Sequence, residues 1–126
     1  MNENNVIEIF KHPKHMVGSD GLFSSKPHPR TYGAFPRVIN RFCKELKVMD
    51  LMTALYQMTK FPAERFNLKM RGQIKKKYIA DLVIFDYDKI KDTSDFFNPV
   101  SYPEGIKYII INGKITAEQE KYLCSK

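Results

Sequence analysis

Asp20 is the first residue with chemistry to offer. It follows the apolar run His15-Met16-Val17-Gly18 and is followed at once by Gly21. That pattern reads as a short buried strand whose end delivers an acid into a turn. Carboxylates at the C-terminal ends of strands are the usual catalytic groups of α/β barrels. The other reading is that Asp20 caps its own turn through an Asx-type bond. His12, His15 and His28 are the three histidines, and no H-x-H or H-E-x-x-H is present. His12 and His15 flank the strand entry, at the end away from Asp20, so one metal site using all three is not expected. Arg30 lies in the loop after Asp20, and its planar guanidinium suits a substrate carboxylate. A solvated or salt-bridged loop arginine is the alternative. No serine sits in a G-x-S-x-G elbow, and there is no glycine-rich phosphate loop.

The elements around these residues follow from periodicity and punctuation. Asn2–Lys11 reads as a short amphipathic helix ended by Pro13. Residues 21–34 read as a long loop, a length that is often functional. Phe35, Val38, Ile39, Phe42, Cys43 and Leu46 form a helical stripe, with Pro36 as the first helical residue. Asp50 is placed to cap a second helix carrying Leu51, Met52, Leu55 and Met58. Pro62 opens a third through Phe66. After Gly72 the period changes. Ile79–Phe85 reads as a mostly buried strand and 91–104 as loop. Ile106–Ile111 is a strand, Asn112-Gly113 a hairpin turn, Lys114–Thr116 the return strand, and Glu118–Leu123 a helical or frayed tail. About four short strands result, split between two layers, too few to close a sheet in either.

Composition excludes several classes. The chain has 126 residues, 43% hydrophobic and 28% charged, as in ordinary globular proteins. It is no coiled coil, collagen-like repeat or disordered tail. Its longest apolar runs, Leu82–Phe85 and Tyr108–Ile111, fall far short of the ~20 residues a spanning helix needs. The acidic, polar start lacks a secretory n-region. Cys43 and Cys124 fit no metal motif and read as free thiols of a reducing cytoplasm. With 21 Lys+Arg and 14 Asp+Glu the net charge is +7. A solvated lysine surface accounts for most of it. The run Lys75-Lys76-Lys77 leaves a weaker reading as an anionic-surface or nucleic-acid contact. Neither nucleic acid nor membrane is expected as a partner.

Taken together, His15-Met16-Val17-Gly18-Ser19-Asp20-Gly21 and His28-Pro29-Arg30-Thr31-Tyr32-Gly33-Ala34-Phe35-Pro36-Arg37-Val38 resemble the N-acyl-D-amino-acid deacylase (D-aminoacylase) branch of the amidohydrolase superfamily. Met58-Thr59-Lys60-Phe61-Pro62-Ala63-Glu64-Arg65 resembles the family's "MTxxPAER" helix. Gly72-Gln73-Ile74, Ala80–Asp86, Tyr102–Ile106 and Asn112-Gly113 resemble its C-terminal β segments. The likeness covers residues 3–116. It implies an α/β fold: residues 1–70 as the last strand–helix unit of a metal-dependent (β/α)8 barrel, and 71–126 as part of a small β-sandwich.

Such a piece is an incomplete fold on its own. The resemblance implies a zinc enzyme that hydrolyses linear amide C–N bonds of N-acyl amino acids. Asp20 matches the family's proton-shuttling acid, which faces the metal. His28, Arg30 and Tyr32 match the loop lining the substrate site. The family's metal ligands come from earlier strands that this sequence does not contain. No zinc is therefore expected on this chain alone, and the isolated chain is expected to be inactive. The alternatives are a half-chain that completes a barrel with a separately encoded N-terminal half, and a non-catalytic remnant. Lys77 stands where the family's turn usually has glycine, and Asn40 replaces another.

Overall fold

In the computed structural model, residues 2–118 and 121–122 are described, the last two as backbone only. Five helical segments precede a four-stranded sheet. Helix α1 spans Glu3–Lys11, capped by the Asn2 side chain. Helix α2 spans Arg30–Arg37 and runs directly into a π-helical segment, π1, Val38–Glu45. Helices α3, Leu51–Met58, and α4, Lys60–Arg65, follow.

The helical core is small and specific. Phe10 of α1 stacks on Phe42 of π1 with ring centroids 4.3 Å apart. Val38, Cys43 and Ala54 close the cluster, with Val17 and Met58 at its margin. Burial of Phe10, Val38 and Phe42 supplies the main apolar gain, roughly 1.5–3 kcal/mol for each such side chain. Two ion pairs clamp the outside, Arg41 to Glu3 at 3.1 Å and to Glu45 at 2.8 Å. Both carboxylates raise the Arg41 pKa further above its ordinary value.

Pro36 is not the first helical residue. The helix begins six residues earlier, with Pro29 at the N-cap. Pro36 lacks the N–H that would reach the Tyr32 carbonyl, and its ring crowds that carbonyl. Two residues later the winding widens to i→i+5 bonds, such as Leu46 N–H to Arg41 O at 2.9 Å. Val38, Phe42 and Cys43 still share one face, because i, i+4, i+5 suits the wider coil.

The strands differ from expectation in three places. His15–Gly18 is extended without being a strand, since among the described residues no strand lies beside it. Besides the local His15 N–H to His12 O bond at 2.9 Å, it is tied by Val17 N–H to Gln57 O at 3.2 Å. The strands are not divided between layers: β1 (Leu82–Phe85), β2 (Ile106–Ile111), β3 (Lys114–Glu118) and β4 (Lys121–Tyr122) form one antiparallel sheet in that order. Glu118 ends β3, and Lys121–Tyr122 pair back onto it, so the tail is not helical there. Gln119, Glu120 and Leu123 lie outside the described residues. Strand β1 is shorter than expected and half open, with Val83 55% exposed, because it has one neighbour and no layer over its outer face.

The Asn112-Gly113 hairpin forms as read. Both residues have positive φ, 51° and 77°, the twist that two-residue hairpins require. Asp81 accepts the Asn112 N–H at 2.8 Å, and Ala80 O accepts that of Gly113 at 2.9 Å.

Helices and sheet meet across a cleft of about 710 Å³, lined by Phe35, Ile39, Met58, Phe85, Ile106 and Ile109 among others. The strap 86–104 bridges them on one side. Lys44 Nζ donates to the carbonyls of Tyr87 and Asp88 at 3.1 and 2.9 Å. Arg37 pairs with Asp92 at 3.0 Å, and Ser94 Oγ donates to Pro29 O at 3.0 Å. The total accessible surface is 9395 Å². A compact monomer of 14.8 kDa exposes about 7,000 Å². The chain therefore leaves a third more surface open than a closed domain would, as an incomplete body does.

Two outcomes test this arrangement. Gly105 has φ +85°, and a Cβ there would lie 2.6 Å from the Ile90 backbone. Gly105→Ala should lower unfolding stability by about 1–3 kcal/mol, read as a lower denaturant midpoint. Asp50 caps α3 by accepting from Thr53 Oγ1 and N–H, at 2.7 and 2.9 Å, and both bonds hold its pKa below the ordinary value. A carboxyl depressed by folding stabilises above its unfolded pKa, and that contribution is lost as pH falls through the folded value. Asp50→Asn should lower the melting temperature at neutral pH and flatten its decline below about pH 4.

Candidate functional site

The core positions Asp20 through α3. Gln57, 4% exposed, lies on that helix. Its Nε2 donates to Phe10 O at 3.5 Å, and its Oε1 lies 3.3 Å from His15 Nδ1. With its carbonyl holding Val17, Gln57 fixes the extended segment that leads to Asp20. The segment then turns sharply, with Asp20 at φ 48°, a left-handed conformation that aspartate tolerates better than most side chains. Gly21 follows because the chain presses on α2: a Cβ there would sit 3.0 Å from Thr31 Cα.

Arg30, the first residue of α2, grips Asp20 twice. One terminal guanidinium nitrogen lies 2.8 Å from Asp20 Oδ2, and Nε donates to Asp20 O at 3.1 Å. The Asp20 side chain remains 78% exposed. An ion pair this open adds little stability, and its main effect is geometric. It holds the exposed carboxylate in a fixed orientation. Arg30 therefore occupies the salt-bridged alternative foreseen for it, with Asp20 itself as partner. Its other terminal nitrogen has no hydrogen-bond partner among the described residues.

His28 and Tyr32 do not join this pair directly. His28 Nδ1 accepts the Arg30 N–H at 3.1 Å, which assigns the proton of the neutral ring to Nε2. Its ring meets the edge of Phe96 at 5.0 Å. Tyr32 turns into the cleft and packs edge-on against Tyr102, 5.7 Å between centroids. Thus the structure brings Asp20 and Arg30 together, uses His28 to set the start of α2, and gives Tyr32 to the cleft wall.

Sequence reasoning missed Gln57, which reads as one polar residue in an apolar helix, and Thr31. Thr31 Oγ1 is buried without a hydrogen-bond partner among the described residues, beside the cleft. It also missed why Gly33 is glycine. A Cβ there would lie 2.6 Å from Ser94 Oγ, so α2 packs directly on the strap.

These residues do not fit a metal centre by themselves. Among the described residues no three His, Cys, Asp or Glu side chains converge on one point. His12 Nδ1 accepts the Lys14 N–H, and His15 packs on Phe10 at 4.5 Å. Burial raises the Cys43 thiol pKa, with the Asp50 charge adding to it, so Cys43 is an inert core thiol.

Comparison with known proteins gives the family and the fold. The amidohydrolase family profile matches residues 4–117. The D-aminoacylase of Alcaligenes xylosoxydans xylosoxydans is 38% identical over 123 residues, 97% of this chain and 25% of that protein. The N-acyl-D-glutamate deacylase of the same organism is 40% identical over 114 residues, 90% of this chain and 23% of that one. A solved D-aminoacylase, studied for its binuclear metal centre, superposes with a TM-score of 0.96 at 36% identity, covering 99% of this chain and 27% of that one. An N-acyl-D-glutamate deacylase from Bordetella bronchiseptica, complexed with zinc and a phosphonate inhibitor, gives 0.90 at 38% identity, covering 94% and 26%. The chain thus spans about a quarter of the length of the relatives it matches.

Asp20→Gly separates a capping role from a functional one. Glycine adopts φ 48° freely, so the variant should be as stable as the parent or up to about 1 kcal/mol more stable. A clear drop in melting temperature would make Asp20 a structural residue of the turn.

Proposed function

The chain belongs to the amidohydrolase family, and from that premise we propose that it forms the Asp20-bearing end of an active site that hydrolyses the linear amide C–N bond of N-acyl amino acids. The observation that carries the reading is Asp20 itself. It is an acid in a left-handed turn, held from both sides and left open to solvent. The names of the relatives, D-aminoacylase and N-acyl-D-glutamate deacylase, support the bond and the substrate class.

Asp20 takes the proton of the attacking water and returns a proton to the leaving nitrogen. A positioned carboxylate within hydrogen-bond reach typically contributes 10²–10⁴-fold by such transfers. Arg30 serves two partners. Nε and one terminal nitrogen hold Asp20, and the other terminal nitrogen receives the substrate carboxylate. Tyr32 and Thr31 form the adjoining cleft wall. Zinc, which the Bordetella relative carries, is held by polypeptide other than these residues, so the isolated chain is inactive.

That polypeptide is either part of the same chain or a separate half that associates. Either arrangement would cover the surface left open. The excess over a compact monomer is about 2,400 Å², near what one partner of a large obligate interface buries. Cytoplasmic residence is part of the proposal, supported by the free Cys43 thiol. Among the described residues no helix is long and apolar enough to cross a membrane.

A chimera tests the assignment. This sequence replaces its counterpart in the Alcaligenes D-aminoacylase, and release of the free amino acid is followed. The chimera should hydrolyse an N-acyl-D-amino acid, Asp20→Asn should lower kcat about 10²–10⁴-fold, and Arg30→Met, which releases Asp20 as well as the substrate carboxylate, should both lower kcat and raise KM. Equal activity of the Asp20→Asn chimera would contradict the assignment. So would hydrolysis by this chain alone with added zinc.

A further inference from the structure

Between α4 and β1 the chain carries an unusual segment. Residues 65–77 hold six Lys or Arg and no Asp or Glu. Interleaved with them are Phe66, Leu68, Met70 and Ile74, all exposed, Ile74 at 91%. Scattered exposed apolar residues are ordinary, but four of them among six cations are not.

The segment is held at its base and free at its tip. Ile79 N–H donates to Met70 O at 2.9 Å and closes a loop, Met70–Ile79. Arg71 pairs with Asp81 at that base. Gly72, at φ +78°, presses on α4, where a Cβ would meet that of Ala63 at 2.6 Å. Beyond these anchors stand Ile74, Lys75, Lys76 and Lys77. A turn closes the tip, with Tyr78 N–H to Lys75 O at 3.0 Å and Lys77 at φ 72°.

Lys77 occupies a backbone position that favours glycine. A lysine there costs about 1–2 kcal/mol in conformational energy. It adds a third adjacent charge at the point of the loop. Among the described residues Arg65, Lys69, Lys75, Lys76 and Lys77 have no acidic partner within ion-pair distance, though Lys75 Nζ lies over the Tyr78 ring at 5.6 Å. Five uncompensated cations beside exposed aliphatic side chains match one kind of surface. An acidic bilayer attracts the cations at headgroup level and takes the aliphatic groups at its acyl boundary.

We propose that residues 65–77 dock this protein on a membrane surface rich in acidic phospholipids, with Lys75, Lys76 and Lys77 at the headgroups and Ile74 inserted between them. The proposal is independent of the catalytic assignment. Contact with a surface requires no spanning helix, so the lack of one does not bear on it. A nucleic acid fits less well. Single strands are held by stacking on a series of exposed rings, and here one ring, Phe66, is exposed while Tyr78 lies under Lys75.

Co-sedimentation of the full chain with lipid vesicles tests this. The protein should pellet with phosphatidylcholine–phosphatidylserine vesicles and stay in solution with phosphatidylcholine alone, and rising salt should release it. Lys77→Gly removes one charge and relieves the turn. It should weaken binding about fivefold with no loss of melting temperature. Adding Lys75→Glu and Lys76→Glu should bring the loss to on the order of 100-fold or more. Ile74→Ser should also weaken binding to acidic vesicles. Failure to bind acidic vesicles, equal binding to both vesicle types, or undiminished binding by the triple variant would overturn the proposal. Retention on duplex DNA without retention on acidic vesicles would overturn it in favour of a nucleic-acid contact.

Discussion

Two partial cores face each other across a cleft that neither has the side chains to fill. On one side Phe10, Phe42 and their neighbours pack the helices together. On the other, a four-stranded sheet turns Phe85, Ile106 and Ile109 toward the same space. The strap 86–104 ties the two along one edge through polar bonds to α2 and π1. Burial of apolar surface drives folding, and here it stops short. The edge of β1 and the accessible area of 9395 Å² record the same shortfall. A chain that matches a quarter of its relatives' length has the elements of their fold without the layers that cover them.

The Asp20–Arg30 pair is next in sequence to Thr31 and Tyr32 of the cleft wall and is well determined. Asp20 is reached from the core by a short series of contacts, from Phe10 to Gln57 to His15 and Val17. It is held from the other direction by Arg30 at the start of α2. That helix is itself set by its close approach to the strap at Gly33. The geometry at Asp20 therefore depends on packing within this chain. The metal chemistry of the family does not, because no cluster of ligands forms among the described residues. The oriented acid, and the lack of a ligand cluster among the described residues, are what the proposed reading rests on.

Much of this was legible in the sequence where the signal was local. The Asp50 cap, the helix it opens and the Asn112-Gly113 turn each depend on a few adjacent residues, and each forms as read, although Met52 of that helix is exposed and Ala54 and Gln57 are its buried residues. The chemistry-bearing pair was legible as types, Asp20 and Arg30, but not as partners, since the nine residues between them hide their approach. What failed was what depends on neighbours elsewhere. His15–Gly18 has the composition of a strand, but a strand needs another beside it. The Ile79–Phe85 run was read as buried from its apolar content, and only Leu82–Phe85 pairs, with one face uncovered. Pro36 was read as a helix start. Inside a helix a proline can instead widen the coil, and nothing in the local spacing separates the two outcomes. Gln57 and Thr31 carry no motif at all, and their roles come from what packs on them.

The central claim is that Asp20 serves an active site completed by polypeptide beyond these residues. The most direct measurement is on material from the cells that make the protein. The species carrying this sequence is purified under native conditions, its peptides are sequenced, and its hydrolysis of N-acyl-D-amino acids is assayed. The account predicts an active species that also contains an H-x-H-bearing amidohydrolase segment, within the same chain or in equal amount beside it. A stable monomer of 14.8 kDa, free of any such segment and without activity, would contradict it.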